Sequence, residues 1–354
     1  MTRRRIAILF APMLLVLLVA GVFAALLHTE PGARWILDRV VGALPGELQF
    51  EQAHGDLQSG LRIDSLTYRD PGLSVVADTL ELRLDFGFFP PALTVHELHL
   101  GTLQLRPVAA PQAQDEATPA AGLAALNLPL PVDFKDVRAD RVAWYGEAAG
   151  APTEVRDLAF SASWFRSLEV HSLEGYVAAL RWRAALALDF RAPHRLEVDV
   201  RGAMSAPEAS GRSQPLEFQA RASGDLQRSH WVAEIMDPQL TIRGDLFDLL
   251  DGPEWDLQLS ADHLQWPLEG AEPALRLDNV VASSYGTVAD YGLEIESDVS
   301  GEGIPAVAGK LVGTGDLAGL DIQVLNLLGA DADIQAVARV AWQDALRAEV
   351  SADV

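Results

Sequence analysis

Apolar positions follow three different periods along the chain. From Ile6 to Leu27 they run together, 22 residues with no charge and one proline, Pro12. As a helix this stretch is about 33 Å long, enough to cross a bilayer core of about 30 Å. From Ala33 to Leu44 the spacing becomes helical, with Ala33, Ile36, Leu37, Val40, Val41 and Leu44 on one face. Thr29 suits the N-cap, Glu30 and Pro31 suit the first turn, and Pro45-Gly46 ends the helix. From Glu47 onward the period is two, broken by the Pro- and Ala-rich stretch from Pro107 to Pro131 and then resumed to Val354.

The period-two region reads as many short strands. Leu48 and Phe50 alternate with polar neighbours, and Gly55-Asp56 makes a turn. Leu61 and Ile63 alternate, then Leu66 and Tyr68 resume one residue out of phase, which predicts a bulge near Asp64-Ser65. Asp70-Pro71-Gly72 is a turn, Leu80, Leu82 and Leu84 mark a strand, and Pro90-Pro91 breaks it before another from Val95 to Leu105. Beyond Pro131 the theme repeats through Val137, Val142, Trp144, Trp182, Leu196, Val198 and Val200. The strictest alternation holds Leu257 and Leu259, Leu275 and Leu277, Leu293 and Ile295, Ile322 and Val324, and Val340 and Trp342. Gly-Asp-Leu recurs at Gly55, Gly224, Gly244 and Gly315, each placed to close a turn and begin a strand.

The pattern predicts a mainly β chain, an extended antiparallel sheet with one dry and one wet face. Four segments follow. Residues 1–28 are a cytoplasmic tip and transmembrane anchor, with Ile6, Leu14, Leu17, Val22 and Leu27 in the bilayer. Residues 29–106 are a helix and a first β-module. Residues 107–131, rich in Pro and Ala, are a linker or loop. Residues 132–354 are an extended β segment. The strand pattern is still running at Val354, which reads as a piece of a longer protein or an edge that a partner covers.

Arg3, Arg4 and Arg5 precede the apolar stretch, and no Lys or Arg follows before Arg34. That bias leaves the N-terminus in the cytoplasm and sends the rest across. A cleaved signal peptide ending near Val22-Phe23-Ala24 is the other reading, and the length of the stretch favours the anchor. Net charge is −23, so nucleic acid is excluded as a partner class, because phosphate contacts need a basic surface. There is no cysteine, which removes disulfides, thiolate catalysis and Cys-ligated zinc.

No catalytic constellation is present: there is no G-x-S-x-G, H-E-x-x-H or P-loop. His96 and His99 point to opposite faces of an uninterrupted strand and make no metal pair. Gly301, Gly303 and Ala306, and Gly313, Gly315 and Ala318, fit a degenerate dinucleotide pattern, but no helix follows, so hairpin glycines explain them. No cofactor is expected, and the chain does not read as an enzyme. Trp144, Trp182, Trp255 and Trp342 sit on the apolar phase, as core residues or as the lining of an acyl-chain groove. The dry face needs cover. A second sheet would make a sandwich or barrel, and lengthwise curling would make a groove filled by lipid.

Ordered motifs carry a resemblance. After the apolar stretch come His28-Thr29-Glu30-Pro31-Gly32-Ala33-Arg34-Trp35, Gly55-Asp56-Leu57 with Gly60-Leu61, and Asp78-Thr79-Leu80-Glu81-Leu82-Arg83-Leu84. Later come His263-Leu264-Gln265-Trp266-Pro267-Leu268, Asp290-Tyr291-Gly292-Leu293 and Ala338-Arg339-Val340-Ala341-Trp342. In this order they resemble the N-terminal portion of the TamB family, translocation and assembly module subunits of the AsmA-like group. The resemblance implies an elongated, curved β-groove of the β-taco kind, anchored in the bacterial inner membrane with its bulk in the periplasm. It implies phospholipid transport between inner and outer membranes. The alternative it implies is outer-membrane protein assembly with a TamA-like outer-membrane barrel, reached through a C-terminal part absent here. The family has no catalytic residues to carry over. On this reading the groove candidates are Leu257, Leu259, Leu275, Leu277, Leu293, Ile295, Ile322, Val324, Val340 and Trp342.

Overall fold

The structure is a computed structural model. It describes residues 29–33, 35, 39, 46–70, 72–108, 123, 126–146, 151–205, 212, 214–269, 273–330, 333–342 and 347–353. The expected anchor, with Ile6, Leu14, Leu17, Val22 and Leu27, lies outside these residues. No helix among the described residues is long and apolar enough to cross a membrane.

The described residues contain 19 strands, which fall into two compact units. The first holds β1 (Glu47–Asp56), β2 (Gly60–Arg69), β3 (Leu73–Phe88), β4 (Pro91–Pro107), β5 (Val132–Trp144), β6 (Thr153–Trp164) and most of β7 (Ser167–Val177). The second runs through β8 (Leu180–Asp189), β9 (Arg195–Met204), β10 (Leu216–Asp225), β11 (Arg228–Ile235), β12 (Leu240–Phe247) and β13 (Glu254–Trp266). It continues with β14 (Leu275–Thr287), β15 (Asp290–Gly301), β16 (Ile304–Gly315), β17 (Gly319–Leu328), β18 (Asp333–Ala341) and β19 (Arg347–Asp353).

Within each unit, strands that follow in sequence lie side by side. β8 to β19 form one antiparallel meander. In the first unit β1 to β4 are antiparallel, but β4 and β5 pair in parallel, Leu93 opposite Val132 and Leu105 opposite Trp144. The expected antiparallel pairing holds in the ladders described above except here, between β4 and β5. A parallel return needs a connection of a dozen residues or more, and the Pro- and Ala-rich stretch between β4 and β5 supplies it.

The expected N-cap is present. Thr29 Oγ1 accepts from Gly32 N at 3.2 Å and Thr29 O accepts from Ala33 N at 2.9 Å. The helix that begins at Glu30 lays Ala33 against Ala53, Leu57, Leu61 and Ile63. Of the face expected for this helix, only Ala33 lies among the described residues.

The bulge expected near Ser65 is one step of a seam that crosses the first unit. Ser65 sits at φ 56° and Asp157 at φ 49°, both left-handed. At the same level every ladder from β1 to β6 is interrupted, by one pair except between β3 and β4, where two are missing, so Leu61 and Ile63 before the step share a face with Leu66 and Tyr68 after it. Asp78 stands in the seam, its Oδ1 accepting from Thr102 N at 2.6 Å. The coordinated step keeps leucines on one face although the count along each strand changes parity.

Three of the four Gly-Asp-Leu motifs close turns. The Oδ1 atoms of Asp56, Asp225 and Asp316 each accept two backbone N–H groups of the following residues. The fourth, Gly244-Asp245-Leu246, lies inside β12, where Gly244 faces Trp231 across the ladder.

The seam gives a stability prediction. A left-handed non-glycine residue costs about 1–2 kcal/mol. Ser65→Gly should raise unfolding free energy by up to about 1 kcal/mol, and Ser65→Val should lower it by about 1–2 kcal/mol, in urea denaturation. Equal stability of the two variants would mean that Ser65 does not hold this conformation.

Candidate functional site

The feature built by most of the strands is the apolar sheet face. Direct ladder partners share a face, so the register shows which side chains line up across strands. In the second unit one lane runs Ala184, Val200, Ala220, Ala233, Ile242, Leu259, Ala282, Ile295, Leu311, Leu325, Ala336, Ala352. It crosses every strand from β8 to β19 without a polar side chain. At about 4.8 Å per strand its eleven steps add up to about 53 Å.

A second lane lies beside it through Leu186, Val198, Ala222, Trp231, Gly244, Leu257, Ser284, Leu293, Gly313, Ile322, Ala338 and Val350. A third contains Leu246, Trp255, Gly286, Tyr291, Gly315, Leu320 and Val340. The first unit has the same construction. Ala53, Ile63, Leu80, Leu100, Ala139 and Leu158 form one lane, and Leu61, Leu82, Leu98, Val137 and Phe160 the next.

Aromatic rings fit these lanes because small residues face them. Trp255 and Tyr291 flank Gly286, with ring centroids 6.1 Å apart. The Phe218 ring lies over Gly202, where any side chain would collide with it. The indole N–H groups are satisfied within the face. Trp231 Nε1 donates to Ser229 Oγ at 2.7 Å, and Trp255 Nε1 donates to Ser284 Oγ at 3.0 Å. An internal partner for each N–H is what a face kept from water requires.

Burial separates this face from an ordinary core. In β8 to β19 the buried apolar residues are mainly small, Ala222, Ala261, Val280, Val307 and Ala336, with Leu196. Leu257, Leu259, Leu293, Ile295, Leu311 and Ile322 are only half-buried. One cluster of buried residues stands out among those described, beneath the N-terminal helix.

The structure brings most of the sequence candidates together and sets two apart. Leu257, Leu259, Leu293, Ile295, Ile322 and Val340 fall on the lanes above. Leu275 and Leu277 join the same face beyond a second bulge. There Asn279 is left-handed at φ 54°, and the β14–β15 register shifts between Asp278 and Val281. Val324 does not join them. β17 carries an extra residue beside Ile322, so Val324 faces Val312, which faces Glu294 on the polar side. Trp342 lies just past β18, 43% exposed, its Nε1 donating to Leu317 O at 3.0 Å. The sequence reading missed Phe218, Trp231, Ile242, Leu311 and Leu325. Neighbouring Ala and Gly dilute the apolar pattern there, although Phe218, Ala220 and Ala222 keep period two.

The opposite face is charged. Arg221 pairs with Asp199 and Arg62 with Glu81, and Lys310 stands between Glu294 and Glu296. His99 Nε2 lies 2.9 Å from Asp140 Oδ1. Exposed pairs of this kind are worth about 0–1 kcal/mol each. The Arg276 guanidinium, then His263, hydrogen-bond Asp278 and hold its carboxyl below the usual value. Arg228, then His230, do the same for Asp245.

Residues 18–144 and 146–354 match the family model described as TamB, N-terminal domain. No curated protein and no solved structure is significantly similar to the chain.

A lowered carboxylate pKa stabilises the fold above the unfolded value, near pH 4, and that contribution is lost as pH falls through the folded value. Asp278→Asn should therefore weaken the fold slightly at pH 7 and lose that effect in acid, once the carboxyl is protonated in the folded chain as well. Urea midpoints at pH 7 and in acid check this. A penalty that persists in acid would contradict it.

Proposed function

The chain belongs to the TamB family, and from that premise and its apolar lanes we propose that it carries phospholipids between membranes. Acyl chains lie along the half-buried sheet face, and head groups stay in water beside the charged face and the hairpin tips. The single observation that carries this reading is the unbroken aliphatic lane from Ala184 to Ala352.

The chemistry suits transport rather than storage. Each CH₂ taken from water is worth about 0.8 kcal/mol, so two acyl chains are held firmly. Every strand offers nearly the same aliphatic surface, so a lipid that moves one strand exchanges like contact for like. No step needs a catalytic group, and the reading assigns the chain no enzymatic activity and no cofactor. Its setting is the bacterial inner membrane, spanned once by residues 6–27, with the N-terminus cytoplasmic and the strands in the periplasm. Acceptance by the outer membrane then runs through a TamA-like barrel partner. If the strands instead hold outer-membrane proteins during assembly, their apolar face is not a lipid path.

Two residues of equal parity on one strand separate these readings. Phospholipid transfer from inner to outer membrane is followed by pulse labelling in cells that depend on this chain. Ile322→Asp puts a carboxylate in the lane and should cut transfer by about tenfold or more. Val324→Asp, two residues on but on the charged face opposite Val312, should leave transfer within about twofold of the parent, with both variants folded by circular dichroism. Equal transfer by both variants would contradict a lipid path on this face.

A further inference from the structure

Cations are spread unevenly over the hairpin tips of the second unit. No Lys or Arg stands in any connection from β12 to β18, and the charged residues described there are Asp248, Asp251, Glu269, Glu302 and Asp316. The tip between β8 and β9 is the opposite. It reads Phe190-Arg191-Ala192-Pro193-His194, and Arg195 opens β9. Arg191 and Arg195 are both exposed, and neither has a carboxylate within ion-pair distance among the described residues.

Hydrogen bonds hold this tip in one shape. Asp189 Oδ1 accepts from Arg191 N at 2.9 Å, Arg191 O accepts from His194 N at 2.7 Å, and His194 is left-handed at φ 61°. His194 Nδ1 lies 3.3 Å from Asp189 O. Phe190 and Leu196 are buried at the two ends of the tip. Phe190 N donates to Arg166 O at 3.1 Å, so a third exposed arginine adjoins it within the same unit. The nearby acids are turned to the backbone. Asp189 binds Arg191 N, and Asp225, opposite Arg195 in the ladder, binds the N–H groups of Gln227 and Arg228. The two guanidinium groups stay exposed, and each offers a planar pair of donors that fits two oxygens of a phosphate.

The tip also stands where the apolar lanes pass. Across β8 and β9 they run through Ala184 and Val200, Leu186 and Val198, and Leu188 and Leu196. All of these but Leu196 are half-buried. Arg191 is three residues past Leu188, at most about 11 Å along the chain. Aliphatic surface beside a fixed pair of cations matches a molecule with acyl chains and one phosphate.

We propose that Arg191 and Arg195 form a phosphate-binding subsite for the head group of a phospholipid whose acyl chains lie in the lanes of β8 and β9. The inference rests on the lipid-carrying reading, and it gives that path a holding position. The acidic tips from β12 to β18 offer a phosphate no partner, so head groups pass them unheld.

The test uses the full chain in membranes. A photoreactive phenylalanine analogue replaces Ala192 at this tip, Ala289 at the tip between β14 and β15, or Leu257 in the lane. Phospholipid labelled in its phosphate is scored for attachment after illumination. Attachment at 192 should exceed that at 289 by about tenfold, and Arg191→Gln combined with Arg195→Gln should remove the excess while position 257 keeps its signal. Circular dichroism checks that each variant is folded. Equal attachment at 192 and 289, or attachment at 192 that the double variant leaves intact, would overturn the subsite. Val200→Asp identifies the source of the phosphate, because it charges the lane beside the tip and should abolish attachment at 192. Ala184→Asp, at its ladder partner, replaces it if that variant does not fold. Attachment at 192 that survives the lane charge would come from a bilayer surface touching the tip, and it would overturn the proposal as well. No attachment at 257 in the parent would refute the lipid path itself, whatever position 192 shows.

Discussion

A β-sheet with one dry face has to cover that face. Here the strand ladders satisfy the backbone, and the charged face satisfies the polar side chains. What is left is a broad aliphatic surface whose largest side chains are half-buried. Hydrophobic free energy scales with the area removed from water, at about 25 cal/mol per Å². A half-buried Leu or Ile keeps part of that term unrealised. The buried cluster with Ala33 realises it for Leu57, Leu61 and Ile63, and an apolar ligand would realise it elsewhere. The openness of the lanes is thus the physical basis of the proposed binding, and the details of the face serve to keep it apolar: paired indole N–H groups, glycines under rings and coordinated bulges.

The coordinated bulges matter most among these. A single bulge in one strand would turn the rest of that strand inside out. Because β1 to β6 step together, the leucines after the seam return to the face they left. In the second unit β13, β14 and β17 step in their own ways, and each step preserves the lane for its long apolar residues. Val324 shows the cost of reading parity through a bulge, since its neighbour Ile322 stays on the face and it does not.

Much of this was legible in residue order. Period two gave the strand class, Leu66 and Tyr68 out of phase with Leu61 and Ile63 marked the bulge at Ser65, and Thr29 was readable as an N-cap. The family followed from short motifs in a fixed order. Three things were not legible for physical reasons. Parallel pairing of β4 and β5 depends on where the connection after Pro107 returns, and only its length hinted at that. The role of Gly244 depends on Trp231 across the ladder, so the same Gly-Asp-Leu that closes a turn at Asp56, Asp225 and Asp316 stays extended in β12. The contribution of Ala- and Gly-rich strands such as β10 and β16 comes from their neighbours, and a composition count sees them as weak.

The central claim is that the lanes hold lipid, and the lipid content of the chain tests it most directly. The chain is taken from membranes in minimal detergent, and phospholipid per chain is quantified by mass spectrometry after solvent extraction, with an acidic periplasmic protein as control. The account predicts several phospholipids per chain. A folded chain with no lipid above the control would contradict it and would mean that protein covers this face.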